Sequence, residues 1–411
     1  MGKHDFDYII IGSGPAGRRA AKNLAKAHKR VAIAEMGPLG GAEINTRDLP
    51  YQIALDFANT YHKLMASPAA GHNSHHFNFP TLTNHIDTSI KKTSTQIKSD
   101  LEKLDIKILT GFAHFINDHT IAVDDQEYTA SNFILATGSK LKVHEIAGLD
   151  SVEYMTPDDA LKIRRLPKYI FIVGGGTTGT ELAEFFANLG VGVIIMERGP
   201  HLLPREDEDI ADILAEHLTS NLGVNIITNA KVLQITEDHM SKIVIFMSGS
   251  GKKMVRVDSI IIATGSEPFL DYSLENAGVD YKKSGIIVDK YFGTSAKNIF
   301  AIGDSLGSND SSTERAQYEA DILTENLLHH SKTSPKYSSL IRAVHTHPAI
   351  ATLGLNELSA TAHDQNYKKS TTTIKNNLVK TLTNRSGRFI GSTVIAENAD
   401  LALEIHKLLT E

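Results

Sequence analysis

The 411-residue chain contains no cysteine and no tryptophan. The first absence excludes disulfides, thiolate catalysis and Cys-ligated metals together. No apolar run reaches transmembrane length, and Met1–Asp7 is too polar for a signal peptide, so the sequence predicts no membrane role and a cytoplasmic location. Basic clusters are also missing and the net charge is −6, which argues against nucleic acid as the partner. What is present is ordinary for a globular protein: 41% hydrophobic and 22% charged residues. The length is too great for a single core, so two or three domains are expected.

The N-terminal region carries the clearest pattern. An apolar run, Asp7–Ile11, leads into Gly12-Ser13-Gly14-Pro15-Ala16-Gly17, an Ala-rich segment to about Lys29, and a second apolar run, Val31–Ala34, closed by Glu35. This reads as a βαβ unit. Its glycines permit a tight turn and let a pyrophosphate sit on the helix N-terminus. Glu35, 18 residues past Gly17, is placed to accept hydrogen bonds from a ribose diol. The next stretch, Gly40–Gln52, reads as a glycine turn entering a short helix that Pro50 restricts after one or two turns.

Further along, Met65–Pro80 is loop-like, and its His72, His75 and His76 have no acidic partner nearby to make a metal site. Ile86, Ile90, Ile97, Leu101 and Leu104 recur at helical spacing, predicting a helix over Thr83–Leu104. Strands are expected at Lys107–Leu109, Thr120–Val123 and Phe133–Ala136, the last entering the small-residue turn Thr137-Gly138-Ser139. From about Ser151 the pattern begins again. Tyr169–Val173, Gly174-Gly175-Gly176-Thr177-Thr178-Gly179, a helix over Glu181–Leu189 and the strand Val191–Met196 closed by Glu197 repeat the first unit about 162 residues later. Ser259–Ala263 into Thr264-Gly265-Ser266 repeats the later strand and turn, so the chain holds an internal pair of dinucleotide folds. An acid at 197 suits the free diol of NAD over the 2′-phosphate of NADP, although Arg198 stands beside it.

The order GSGPAG, acidic strand end, LGG, ATGS, GGGTTGTE, acidic strand end, HLLPREDEDI, ATGSEP, NIFAIGD and VHTHPAIATLGLNE resembles the pyridine nucleotide-disulfide oxidoreductases. That family includes dihydrolipoamide dehydrogenase, glutathione reductase and mercuric reductase. The resemblance implies an α/β fold of two Rossmann-like domains, one inserted in the other, followed by a short α+β interface domain. It implies an FAD domain at 1–150 and 271–335, an NAD domain at 151–270, and an interface domain at 336–411 that makes a homodimer the expected assembly. By the same resemblance Gly12, Ser13, Gly14, Pro15, Ala16, Gly17, Glu35, Gly41, Ala113, Ala136, Thr137, Gly138, Gly303 and Asp304 hold FAD. Gly174, Gly175, Gly176, Gly179, Glu197 and Gly265 hold the nicotinamide cofactor, NAD(H) in preference to NADP(H).

The departures from the family pattern decide the expected function. Where the resemblance calls for a redox cysteine pair and a lysine, this chain has Glu43, Asp48 and Gln52. Carboxylates cannot relay electrons as a disulfide does. Glu181, which the resemblance pairs with that lysine beside the reactive flavin nitrogen, is retained; Gln52 is left to hydrogen-bond to it without charge. Losing a cation and gaining two acids is expected to lower the flavin potential or slow reduction, and facing carboxylates would raise one another's pKa. The resemblance also implies a terminal segment with a His–Glu pair reaching the partner subunit's site. No such segment precedes Glu411, and His345, His347 and His406 do not match it by position, so His345 and His347 are expected to pack or face solvent. The expectation is an NADH-dependent flavoprotein that is not a disulfide reductase and passes electrons to a non-thiol small-molecule acceptor. The alternative is a catalytically inactive FAD/NAD-binding protein that acts by interaction or sensing. No metal site is expected.

Overall fold

A computed structural model of the chain describes residues 4–67, 78–239, 241–249, 251–307, 312–374, 377–398, 400–402 and 404. In chain order the first elements are β1 (Phe6–Ile11), α1 (Pro15–Lys26), β2 (Val31–Glu35), α2 (Gly41–Asn45), α3 (Asp48–Ala66) and α4 (Phe79–Glu102). Next come β3 (Lys107–Thr110), β4 (Ala113–Asn117), β5 (Thr120–Val123), β6 (Gln126–Leu135), β7 (Ser139–Leu141) and α5 (Pro157–Ala160). β8 (Tyr169–Val173), α6 (Thr177–Asn188), β9 (Gly192–Met196), α7 (Glu208–Ser220) and β10 (Asn225–Ile227) follow. Then β11 (Ala230–Asp238), β12 (Ser241–Ser248), β13 (Gly251–Val257), β14 (Ser259–Ile262), β15 (Ser266–Pro268), β16 (Tyr281–Lys282) and β17 (Gly285–Ile286). The chain continues through β18 (Ile299–Ala301), α8 (Thr313–His329), β19 (Ile341–Val344), β20 (Ala349–Gly354), α9 (Glu357–Ala362), β21 (Lys368–Ile374), β22 (Asn377–Thr383) and β23 (Phe389–Ala396).

Two compact units emerge from this order. The first is Met1–Pro50, Asp87–Lys140 and Ser266–Tyr337. Its seven-stranded sheet runs β3-β2-β1-β6-β5-β4 with β18 beside β6. The strands β3, β2, β1, β6 and β18 are parallel, and β4–β5–β6 form an antiparallel meander. Because side chains alternate along a strand, Ile10 and Ile33 face Ala20, Leu24, Leu101 and Leu323 of the helical layer. Ile9 and Ile11 pack instead with Phe115, Phe133 and Ile299 on the other face. Burial on both faces is why these strands read as unbroken apolar runs.

The second unit is Tyr51–Ile86, Leu141–Gly265 and Ser338–Glu411. It holds a four-stranded parallel sheet β10-β9-β8-β14, a three-stranded antiparallel sheet β11-β12-β13, and a five-stranded antiparallel sheet β19-β20-β23-β22-β21. The β11–β13 sheet was not legible from residue patterns. Its strands carry Lys, Glu and Arg on the outer face, and only one face, with Val232, Ile235, Val244 and Phe246, is buried.

Two expectations change. Pro50 does not close a helix; it lies in the first turn of the 19-residue α3. A first-turn N–H has no intrahelical acceptor, so proline costs nothing there and its fixed φ suits the helix. The expected loop Met65–Pro80 is shorter than read, since Met65 and Ala66 end α3 and Phe79 and Pro80 begin α4. His72, His75, His76 and His406 lie outside the described residues. No helix among the described residues is long and apolar enough to cross a membrane.

Candidate functional site

In the first unit β1 ends at Ile11 and the chain turns through Gly12–Gly17 into α1. Gly12 has φ +104°, and a Cβ there would lie 2.3 Å from the Ala136 carbonyl oxygen; at Gly17 it would lie 2.0 Å from the Gly12 carbonyl oxygen. Packing within the protein therefore requires both glycines. Gly14 differs. Its φ of −62° suits any residue, and a Cβ there would meet no described atom within 4 Å. Protein contacts do not explain a glycine at 14, whereas a phosphate brought close to the backbone at a helix N-terminus does.

Glu35 closes on this turn. Its Oε2 accepts the Ser13 N–H at 2.8 Å and the Ser13 hydroxyl at 2.7 Å, and its Oε1 accepts the Gly37 N–H at 3.0 Å. Oε1, with one donor, keeps acceptor capacity for a further donor such as a ribose hydroxyl. A cavity of about 530 Å³ opens beside Glu35, lined also by Gly37, Leu39, Thr95, Ile106 and Thr110.

The second unit repeats the geometry. Gly174 has φ +113°, with a Cβ there 2.3 Å from the Ala263 carbonyl oxygen, and a Cβ at Gly179 would lie 1.9 Å from the Gly174 carbonyl oxygen. Gly176, with φ −74°, again faces open space, and Gly265 turns at φ +94°. Glu197 accepts the Gly175 N–H and the Gly199 N–H, both at 2.8 Å. Arg198 beside it is exposed. The two cradles thus fit the diphosphate and ribose of a dinucleotide by the same test.

The remaining residues assigned to FAD by resemblance lie in the first unit. Ala136 backs Gly12, Thr137 donates its hydroxyl to the Phe269 carbonyl at 2.9 Å, Gly138 turns at φ +71°, and Ala113 is buried in β4. The Gly303 N–H is held at 2.7 Å by Glu319, a fully buried carboxylate that also accepts Arg315 Nε at 2.8 Å and the Tyr337 hydroxyl at 2.9 Å. Asp304 accepts the Ser139 hydroxyl at 2.8 Å and faces Arg47 at 3.5 Å.

At the positions where thiols would stand, Glu43 is not turned to solvent. It forms an ion pair with Arg18, the two side chains being 18% and 14% exposed. Burial pushes the Glu43 carboxyl above the usual range, Arg18 opposes that, and Asp48 and Glu314 add to it. Burial likewise lowers the Arg18 pKa against the pull of Glu43. Both shifts say that loss of hydration outweighs the pair's attraction. Asp48 accepts the Thr313 hydroxyl at 2.8 Å.

In the second unit Gln52 is exposed, and the retained Glu181, 6% exposed, has a different partner from the one expected. It accepts the His345 N–H at 3.0 Å, and the His345 ring nitrogen Nδ1 stands 3.4 Å away. His347 does the same for Glu184, with its N–H at 3.0 Å and its Nδ1 at 3.5 Å. His345 and His347, expected to pack or face solvent, lie over α6 and direct backbone N–H groups to these two carboxylates. The β19–β20 connection runs over α6 and its polar atoms satisfy two carboxylates one helical turn apart, which water would otherwise have to solvate. No sequence signal sets Arg18 apart from Arg19, Lys22 and Lys26 of the same helix, and none marks His345.

An acidic group whose ligand atoms lie close enough together for a metal, Asp207, Asp209 and Glu357, is closed by a lysine instead. Lys380 lies 2.8 Å from Asp207 and 2.7 Å from Asp209 and also pairs with Glu357.

Comparison with known proteins bears on the same residues. The family described as pyridine nucleotide-disulphide oxidoreductase matches residues 6–320. The chain is 28% identical over 418 residues to mercuric reductase of Bacillus cereus, covering 97% of this chain and 66% of that enzyme. It is 29% identical over 365 residues to dihydrolipoyl dehydrogenase of Bacillus subtilis (strain 168), covering 85% and 78%. Its fold is similar to the HOCl-induced flavoprotein disulfide reductase RclA from Escherichia coli, solved as a Cu(II) complex, with a TM-score of 0.86, 26% identity, and 100% and 93% of the two chains covered. Members of the family are FAD-dependent and use pyridine nucleotides. With paired dinucleotide cradles on the expected α/β scaffold and a family match from β1 into α8, this cysteine-free chain belongs to the pyridine nucleotide-disulphide oxidoreductase family.

Proposed function

We propose that this protein is an FAD-dependent NADH oxidoreductase that delivers electrons to a non-thiol small-molecule acceptor, such as oxygen or a quinone. The observation that supports this most is the pair Gly14 and Gly176, glycines that neither backbone angle nor protein packing requires. Bound FAD supplies a two-electron acceptor for hydride from a nicotinamide. The first turn and Glu35 hold the FAD diphosphate and ribose, while Asp304 and Thr137 bind farther along it. The second turn holds the pyridine nucleotide, with Glu197 favouring NAD(H) because a carboxylate repels a 2′-phosphate. Disulfide reduction is excluded by the absence of cysteine.

A second reading, an FAD- and NAD-binding protein without turnover, draws support from the engagement of Glu43 with Arg18 and of Glu181 with His345. Anaerobic mixing of FAD-loaded protein with excess NADH separates the two. The oxidoreductase reading expects the visible flavin absorbance to bleach and to return on admitting oxygen or a quinone. Bound flavin that NADH never bleaches sinks it in favour of the binding reading, and protein that takes up no FAD sinks both.

A further inference from the structure

We infer that the Arg18–Glu43 ion pair is a positioning clasp: it holds α2 against the start of α1 so that Gly41 lies on Gly14, and thereby shapes the first phosphate cradle. The role in FAD binding rests on the functional reading above; the clasp itself does not. Arg18 is in the first turn and a half of α1, one residue after Gly17, and Glu43 is in the first turn of α2. Gly41 starts α2 at φ +63°, and a Cβ on it would lie 2.6 Å from the Gly14 Cα. The two backbones thus approach too closely for a side chain at 41, and they do so at the one glycine of the first turn whose outer side is open. The Gly40 N–H bonded to Ser13 Oγ at 3.0 Å fixes the turn before α2, but no described hydrogen bond ties the body of α2 to α1 except this ion pair.

The pair is poorly explained as a source of stability. Burial works against both charges, and the Arg18 Nε is buried without a hydrogen-bond partner. A buried ion pair of that kind is commonly no better for stability than two apolar side chains of similar size, yet it permits one arrangement of its two helices where apolar side chains permit several. Arg18 and Glu43 are therefore positioning residues: neither is assigned contact with a reacting atom.

The test is the double variant R18M/E43M, which removes both charges, leaves neither one unpaired and keeps the site filled. Thermal unfolding of the FAD-free protein is expected to match the wild type or rise. In the same FAD-free protein, amide exchange at Gly41–Asn45 is expected to accelerate at least tenfold, and titration with FAD is expected to show at least tenfold weaker binding. Unchanged exchange overturns the clasp whether or not the wild type binds FAD. Faster exchange with unchanged FAD affinity keeps the clasp and overturns its role in the cradle. Wild-type protein that binds no FAD, with faster exchange in the variant, defeats the functional reading alone. The single variant E43Q supplies a check on direction: it strands the Arg18 cation, so it is expected to lower the melting temperature where the double variant does not.

Discussion

The first glycine turn is backed by Gly37–Gly41, where the Gly40 N–H bonds to Ser13 Oγ at 3.0 Å and Gly41 lies on Gly14. The second is backed by the segment 199–207, where the Leu203 N–H bonds to the Gly175 carbonyl at 2.7 Å and the Leu202 side chain lies against Gly175. Each backing segment runs to an ionic group, the partly buried Arg18–Glu43 pair in one unit and the buried Lys380 with Asp207, Asp209 and Glu357 in the other. The electrostatic outcome is opposite. At Glu43 burial wins and the carboxyl is harder to ionise. At Lys380 burial is overcome by hydrogen bonds to Asp207, Asp209 and Glu357, which push the ammonium pKa above its ordinary value. The lesson is that one local turn geometry is compatible with two kinds of support: three acceptors around one cation outweigh the cost of its burial, while one guanidinium does not fully offset the burial of the Glu43 carboxylate.

The largest expected effect tests what the two turns share. Gly12→Ala and Gly174→Ala each place a Cβ 2.3 Å from a carbonyl oxygen at a positive φ. Each is expected to cost about 4 kcal/mol in chemical denaturation, from strain and overpacking together. A loss below about 1 kcal/mol in one of them would show that the turns are not equivalent.

Next in size is Lys380→Met, which leaves three carboxylates facing one another and is expected to cost about 3 kcal/mol at neutral pH. The comparison predicts that R18M/E43M, by contrast, costs nothing measurable. A similar loss in both would erase the distinction between the two supports.

A smaller effect lies in pH. Burial raises the Glu357 carboxyl pKa, but hydrogen bonds from Lys380, Lys369 and Tyr367 outweigh it and the net shift is downward. Its stabilisation is thus present above the ordinary glutamate pKa and lost as pH falls through the depressed value. Glu43 has the reverse sign. Its native state holds the proton more tightly than the unfolded chain does, so its contribution to stability declines as pH rises from the ordinary glutamate value through the raised one. The stability of R18M/E43M relative to wild type is therefore expected to grow from pH 4 to pH 7, and that of K380M to shrink, as read from denaturation midpoints.

The parts of this comparison differed in how legible they were. Strands β1, β2, β8 and β9, the glycines and the acids at 35 and 197 could be read directly, because buried parallel strands and glycine turns are dictated by neighbours in sequence. Register 162 residues apart made the repeat visible. The supports were not legible. Arg18 and Glu43 are 25 residues apart, and Lys380 and Asp209 are 171 apart, so each pairing depends on tertiary packing that no local pattern encodes. Pro50 misled for a related reason: the rule that proline ends helices depends on where the helix starts, and a helix that begins at Asp48 puts Pro50 in its first turn. The partner of His345 is not legible in the sequence because Glu181 lies on α6, 164 residues earlier.

The central claim is that each open glycine faces its own dinucleotide, and calorimetric titration of Gly14→Ala and Gly176→Ala with FAD and with NADH tests it most directly. Both substitutions add a methyl group to open space, so melting temperatures should stay near wild type. The account predicts that Gly14→Ala weakens FAD at least tenfold and leaves NADH binding to the FAD-free protein unchanged, and that Gly176→Ala does the reverse. Equal effects of either substitution on both ligands, or no effect on either, would contradict it.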